Sequence, residues 1–468
     1  NNNIYHVDLG THASAQKVCV NTTDVAGNTS DTTCSNTYYV DKTSPVATLK
    51  ASVSGTNIVI NASSSTDQGS GIVTYYYSKD GGSTFVSSTS SSYTFTGFTL
   101  GNTYKMALKV VDKTGNVSSV TTSDVFVSGL ATSIIKTLVT GASTSSSTVY
   151  TSSSKTSSTC TYTFAYDNTS DNNLRYVGKN PCNYIKVDNE YWRIVGIMNN
   201  IDNGLGTKES RLKLMRDESI GSYSWDTSAS SVNSGYGVNE WSQADIMKLL
   251  NPGYEGTSVG GSLYYNNKSG NCYVNSNNTT SSCNFTSTGL KAILKSLIGN
   301  AKWHTGSNGS NDYTSASNGL ARHFYGYERS NSTGKLCSSG QHCNDTVTRT
   351  TSWVGKVGLI YPSDYGYATS GGSSVNRSGC LNKELNSWKN VRDCYTNDWL
   401  YKSGYWQWTL SPGVYTNVAR NVFYIHNNAN VFYDRAYYAG AIHPTVYLIT
   451  SAKIINGEGS KEKPYQLG

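Results

Sequence analysis

Charge is scarce in this 468-residue chain: Asp, Glu, Lys and Arg make up 14% of it, and proline occurs seven times. The formal net charge of +7 is not a patch. Residues 1–128 hold seven lysines and eight aspartates, so the positive excess is spread over the remainder without a basic run. Phosphate neutralisation needs clustered Lys and Arg, so no nucleic-acid partner is expected. No signal-peptide pattern and no run of about 18 apolar residues is present. Membrane or cell-wall attachment is therefore expected only through segments outside this sequence. No Cys-x-x-Cys pair, phosphate-cradling glycine loop or triad signature occurs. These absences predict no cofactor, no metal ligand set and no catalytic residue.

Ser, Thr, Asn, Gly and 36 tyrosines fill the space that charge leaves. That composition suits an exposed, β-rich surface protein in an oxidising compartment. The ten cysteines support it, being even in number and close in sequence: Cys19/Cys34, Cys160/Cys182, Cys272/Cys283, Cys337/Cys343 and Cys380/Cys394. Sequential disulfides are the expectation, although spacing alone does not fix connectivity. Cys19 and Cys34 flank a strand–turn–strand segment symmetrically, which puts them opposite each other on a hairpin.

An internal repeat organises the N-terminal part. Asp24-Val-Ala-Gly-Asn28-Thr-Ser30 matches Asp112-Lys-Thr-Gly-Asn116-Val-Ser118, and alternating strands flank both copies. A period near 90 residues with several short strands is the size of an Ig-like sandwich. Residues 45–128 read as a complete domain and 1–44 as the last strands of another. Either the chain extends upstream or another chain supplies the missing strands. The Asp and Asn of each copy are expected to brace a tight turn rather than bind calcium. With the junction Tyr39-Val-Asp-Lys-Thr-Ser-Pro45, the pattern resembles the tandem Ig-like repeats of bacterial surface proteins, which implies a spacer or adhesive stalk.

Residues 129–159 read as a Ser/Thr-rich linker carrying one short helix near 131–139. From Cys160 the pattern turns to α+β. Its organising stretch is a hairpin, 184–187 and 191–198, joined through Asp188-Asn189. A helix is expected after Ser242 as N-cap, with Trp241 stapled onto Ile246. A second is expected over 288–298, a turn at 362–368, a short helix over 380–388, and strands near 406–410, 422–426, 430–433 and 445–448.

The blocks Glu190-Tyr-Trp-Arg-Ile-Val-Gly196, Leu214-Met-Arg-Asp-Glu218, Pro362-Ser-Asp364, Trp408-Thr-Leu-Ser-Pro412 and His443-Pro-Thr-Val-Tyr-Leu448 resemble a domain of Firmicutes extracellular proteins. That domain is similar to the C-type-lectin-like fold of formylglycine-generating enzymes and retroelement-diversified receptors. The resemblance implies a C-type-lectin-like domain over 160–468, although His443 stands where the family carries Arg. It implies no calcium-dependent sugar site, because Asn397-Asp398-Trp399 has the lectin residues in another order. Asp217-Glu218 and Asp393/Asp398 are possible paired carboxylates, but each sits where a strand or helix ends, which suits caps and turns. His342 beside Cys343 reads as part of a disulfide loop.

The fold class expected is thus mainly β: an Ig-like β-sandwich stalk with a large α+β, lectin-like C-terminal domain. Aromatics in the last third fall on both strand parities, so some must be exposed. Trp406, Trp408, Arg420, Tyr433, Arg435, Tyr437 and Tyr438 form the candidate ligand-binding rim. The expected partner is a surface glycan or protein, and the expected place is the outside of a bacterial cell. A filament subunit, binding copies of itself through residues 1–44, is the competing reading, and an enzyme on a formylglycine-generating-enzyme-like scaffold is the lesser alternative.

Overall fold

The computed structural model describes residues 15–228, 237–306, 318–330, 350–415 and 418–468. It divides into two units at Gly129/Leu130. The chain is mainly β, with short helices confined to the second unit among the described residues.

In the first unit, two sheets bury one apolar face each. Lys50–Ser54, Asn57–Asn61 and Ser92–Phe95 form one; Thr121–Phe126, Thr103–Asp112, Ile72–Ser78 and Val86–Ser88 form the other. Strand alternation does the sorting: Ile58 and Ile60 face Met106, Leu108 and Val110 in a closed core with Tyr77 and Phe95. This is a β-sandwich, as the fold class expected, with the strand Val86–Ser88 as an addition the Ser-rich sequence conceals. The two repeat turns are superimposable in their bonding. Asn28 donates its backbone and side-chain N–H to Asp24 at 2.9 and 2.8 Å, and Asn116 does the same to Asp112 at 2.9 and 2.7 Å. Gly27 and Gly115 take φ of +90° and +95°, where a side chain would be strained.

The second unit is built on a large antiparallel sheet. Its order is Tyr150–Thr151, Thr163–Tyr166, Leu174–Tyr176, Glu190–Asp202, Lys208–Arg216, Thr445–Tyr447 and Val357–Gly358. Tyr184–Val187 pairs with Glu190–Asp202 in the expected hairpin, with Asp188 at φ +51° in its turn. Gly196 lets the next strand approach closely, since a Cβ there would lie 2.1 Å from the Leu174 carbonyl oxygen. A second sheet runs Ser222–Ser224, Ala439–Ala441, Gln407–Tyr415, Val418–Ile425 and Val431–Arg435. Trp192, Trp225, Trp241, Trp303, Trp388 and Trp408 are fully buried between these layers and the helices.

Among the described residues, four disulfides join Cys19–Cys34, Cys160–Cys182, Cys272–Cys283 and Cys380–Cys394. Cys19 and Cys34 are direct cross-strand partners. Cys337, His342 and Cys343 lie outside the described residues.

Several local expectations need correction. The stretch 129–159 is no free linker: Ile134, Ile135 and Leu138 are buried, and Tyr150–Thr151 adds an edge strand to the large sheet. Ser and Thr tolerate an edge strand, and composition does not report pairing. Ser242 is not the cap. Trp241–Gln243 is a 3₁₀ turn capped by Glu240, and the helix Asp245–Leu250 starts after Ala244. The helix expected over 288–298 is shorter, Ala292–Leu297, with Ile293 exposed. Residues 362–368 form a buried helix, Pro362–Ala368, rather than a turn.

Candidate functional site

The seven rim candidates do not form one rim. Strand register separates them: Tyr424 pairs with Trp408 and Phe432, whereas Phe423 pairs with Tyr433 and Asn421 with Arg435. Paired residues share a face, so Tyr433 and Arg435 point opposite to Trp408 and Phe432. Trp408 and Tyr437 are buried, at 1% and 6% exposure, and are core residues. Arg420, Tyr433 and Arg435 are half-buried. Trp406 and Tyr438 remain as half-buried surface aromatics. Trp406 stacks on Tyr424 at 5.2 Å and lies near His426 at 5.8 Å and Tyr438 at 6.4 Å, with Phe432 5.6 Å from His426. His426 and Phe432 were missed because only the register shows which face they share.

A deeper feature lies beside this face. A groove of about 700 Å³ is lined by Lys179, Asn180, Tyr184 and Arg193 on one wall. Arg392, Tyr395, Asn397, Asp398, Trp399, Tyr401 and Lys402 line the other. The organising hairpin supplies the first wall, because Tyr184 and Arg193 are cross-strand partners. The short helix Arg392–Thr396 and the segment after it supply the second. Parallel bridging of Gly178 to Asp398 holds the walls in register. Each wall is closed by its own disulfide, Cys160–Cys182 and Cys380–Cys394. Tyr401 donates its hydroxyl to the Asn427 carbonyl at 2.6 Å, tying the groove to the turn beside His426.

Arg193 is the floor of the groove. Its guanidinium lies 3.8 Å from the Tyr184 ring centre and 4.8 Å from that of Trp399, a buried cation between two aromatic faces. It donates to the Tyr184 hydroxyl at 2.9 Å and faces Asp217 at 3.6 Å. Asp217 also takes Lys402 at 3.1 Å, and these cations outweigh burial to hold its carboxyl low. Asp393 accepts from the Ser374 and Val375 N–H groups as a loop brace. Asp398 accepts from Leu400 N–H at 2.9 Å, and burial pushes its carboxyl well above the usual range. Asp217, Asp393 and Asp398 thus each have structural partners of their own. The segment Asn397-Asp398-Trp399 lines the groove.

Two further clusters stand outside the groove. Asp364 at the start of the helix Pro362–Ala368 binds Arg175 and Lys213, and Arg175 also binds Asp167 at 2.9 Å, all buried. In the first unit, Asp41, Asp67 and Asp112 bring carboxylate oxygens within 4.8 Å of one another. Backbone N–H groups engage each: Thr43 and Ser70 on Asp41, Gly69 and Gly71 on Asp67, Thr114 and Asn116 on Asp112. The Asp112 contacts are those of a braced turn.

A carboxyl pair, Asp226 and Asp245, gives one pH prediction. Burial first, and then the neighbouring Asp245, raise Asp226 to about 7; burial also raises Asp245. Lys248 and Tyr273 are the other titratable groups nearby. A carboxyl protonated in the fold and ionised in the unfolded chain makes stability fall as pH rises from about 4 to 7. Asp226→Asn is expected to flatten that fall and to gain on the order of 2 kcal/mol at pH 8. Urea unfolding at pH 5 and pH 8 checks it; an equal pH dependence in both proteins would contradict it.

No family model matches the chain, and no curated protein matches it. Among solved structures it is similar to the PKD1 domain of Vibrio cholerae metalloprotease PrtV, at 25% identity and a TM-score of 0.16, over 18% of this chain and 98% of that one. It is also similar to carbohydrate-binding modules of the β-sandwich superfamily, at 20% identity and 0.19, over 39% of this chain and 57% of that one. A third likeness, to chitinase ChiA74 from Bacillus thuringiensis, has 12% identity and 0.17, over 41% and 21%. With TM-scores this low, these likenesses identify neither a family nor a function.

Proposed function

We propose that this chain is an extracellular recognition protein of a bacterial surface, in which a lectin-like C-terminal unit, joined to Ig-like repeats, binds a glycan in the groove. The groove itself carries the reading. Its size matches that of ligand sites, about 300–1,000 Å³, and it combines aromatic faces with amide donors and acceptors from Asn180 and Asn397. Aromatic rings cover the apolar face of a sugar while amides satisfy its hydroxyls. Binding rather than turnover is proposed because Asp217 and Asp393 are held in ion pairs and loop braces, and Asp398 is buried. The disulfides fit an oxidising, external location.

Tyr395 is the test residue, being half-buried and in edge contact with Tyr401 at 5.2 Å. Tyr395→Ala is expected to weaken a bound glycan about tenfold or more while leaving the melting curve in place. A glycan panel followed by calorimetry measures this. Loss on Trp406→Ala with none on Tyr395→Ala would place the site on the aromatic sheet face, and silence across the panel would end the glycan reading.

A further inference from the structure

Four cations line the groove, Lys179, Arg193, Arg392 and Lys402, against one lining carboxyl, Asp398. Their states differ. Arg193 is buried and faces Asp217, and Lys402 is paired with Asp217 as well. Lys179 and Arg392 are exposed, and no carboxylate among the described residues pairs with either. Asp398 is buried, and its Oδ2 has no hydrogen-bond partner among the described residues. Burial pushes its carboxyl well above the usual range, which weakens it as a counter-charge to the lining cations. The concavity thus carries more positive than negative side chains in a chain whose charge is otherwise sparse.

Resting on the glycan-binding reading, we infer that the groove selects anionic glycans: sugars bearing carboxylate or sulfate groups, whose oxyanions meet Lys179 and Arg392 while their rings lie on Tyr395 and Tyr401. Arg392 suits the task because a guanidinium presents two parallel N–H donors to a planar or tetrahedral oxyanion. Lys179 adds a mobile point charge. Both are exposed surface residues, and neither side chain is in an ion pair among the described residues, so their replacement tests recognition rather than folding. A neutral glycan would leave the same rings occupied and the two cations unanswered.

The test compares oligogalacturonate, its methyl ester and a sulfated galactan oligomer of equal length on the whole chain. Calorimetry is run at low and at physiological salt. The acid is expected to bind about tenfold more tightly than its ester, with affinity falling as salt rises. Lys179→Gln/Arg392→Gln is expected to bring the acid down to the affinity that the same variant shows for the ester. The sulfated arm shows whether tetrahedral oxyanions are accepted alongside carboxylates. Equal binding of acid and ester overturns the anionic inference and leaves the glycan reading intact. Acid binding unaffected by the double variant also overturns it, whereas an absence of binding in all three arms, together with silence across the wider panel, removes both.

Discussion

Asp364→Ala is expected to lower the melting transition of the C-terminal unit by about 5–10 °C, and Asp364→Asn by nearly as much. Asp364 does three things at once. It accepts from the Tyr361 N–H at 2.9 Å to cap the helix Pro362–Ala368, and it pairs with both Arg175 and Lys213. Removing one member of a buried ionic cluster costs about 3–5 kcal/mol, because the remaining charges stay desolvated without compensation. Asp167 still answers Arg175 in the variant. Lys213 has no such second carboxylate among the described residues, but burial already lowers it to about 8, so shedding its proton limits the loss.

The pH dependence separates the charge role from the cap. Lys213 and Arg175 outweigh burial and hold the Asp364 carboxyl well below its usual range. Its stabilisation is therefore present above about pH 4 and is lost as pH falls from there. Asp364→Asn removes that acid limb, so the gap between the two proteins should begin to narrow below about pH 4 and still be open at pH 3. Calorimetry from pH 3 to 7 measures it. A variant melting within about 1 °C of the parent at pH 7 would refute the account.

Asp112→Ala and Asp24→Ala form a matched pair with unequal outcomes. The two aspartates sit in the same turn with the same asparagine bonds. Asp112, however, is 1% exposed, and its turn is in contact with the junction: Asn116 and Thr114 donate to the Asp41 carbonyl at 2.8 and 3.1 Å. Asp24 is exposed, and Ala26 stands where the second copy has Thr114. Removing Asp112 orphans several part-buried donors of Thr114 and Asn116, and a loss of about 1–3 kcal/mol is expected. Asp24→Ala should be much milder. Hydrogen exchange on the whole chain, followed in Thr103–Asp112 and Thr121–Phe126, would show faster opening only for the first. Equal effects would mean that the junction contributes nothing.

What was legible in the sequence was local. The hairpin at Tyr184–Val187 and Glu190–Asp202 follows from period-two alternation around a two-residue turn. The repeat follows from a turn motif whose bonding is contained within five residues. Sequential disulfides were within reach because nearby cysteines on hairpins and short loops meet readily. What failed depended on neighbours. The aromatic residues of the last third could not be sorted, because the face that Tyr433 shares with Phe423 is set by pairing with another strand. The groove was invisible because Tyr184 and Arg193 meet Trp399 and Tyr395 only after the chain closes on itself. Nor does Ser/Thr content show that Tyr150–Thr151 joins a sheet edge.

The two covalent loops that flank the groove bear on how tightly it can hold anything. Cys160–Cys182 and Cys380–Cys394 restrict the backbone on either side before any ligand arrives. Ordering those walls is then part of oxidative folding, and encounter with a ligand has little loop entropy left to lose. On the proposed reading, affinity at this surface is in that sense inherited from the redox history of the chain: the same residues in a reducing environment would present the same chemistry on a looser frame.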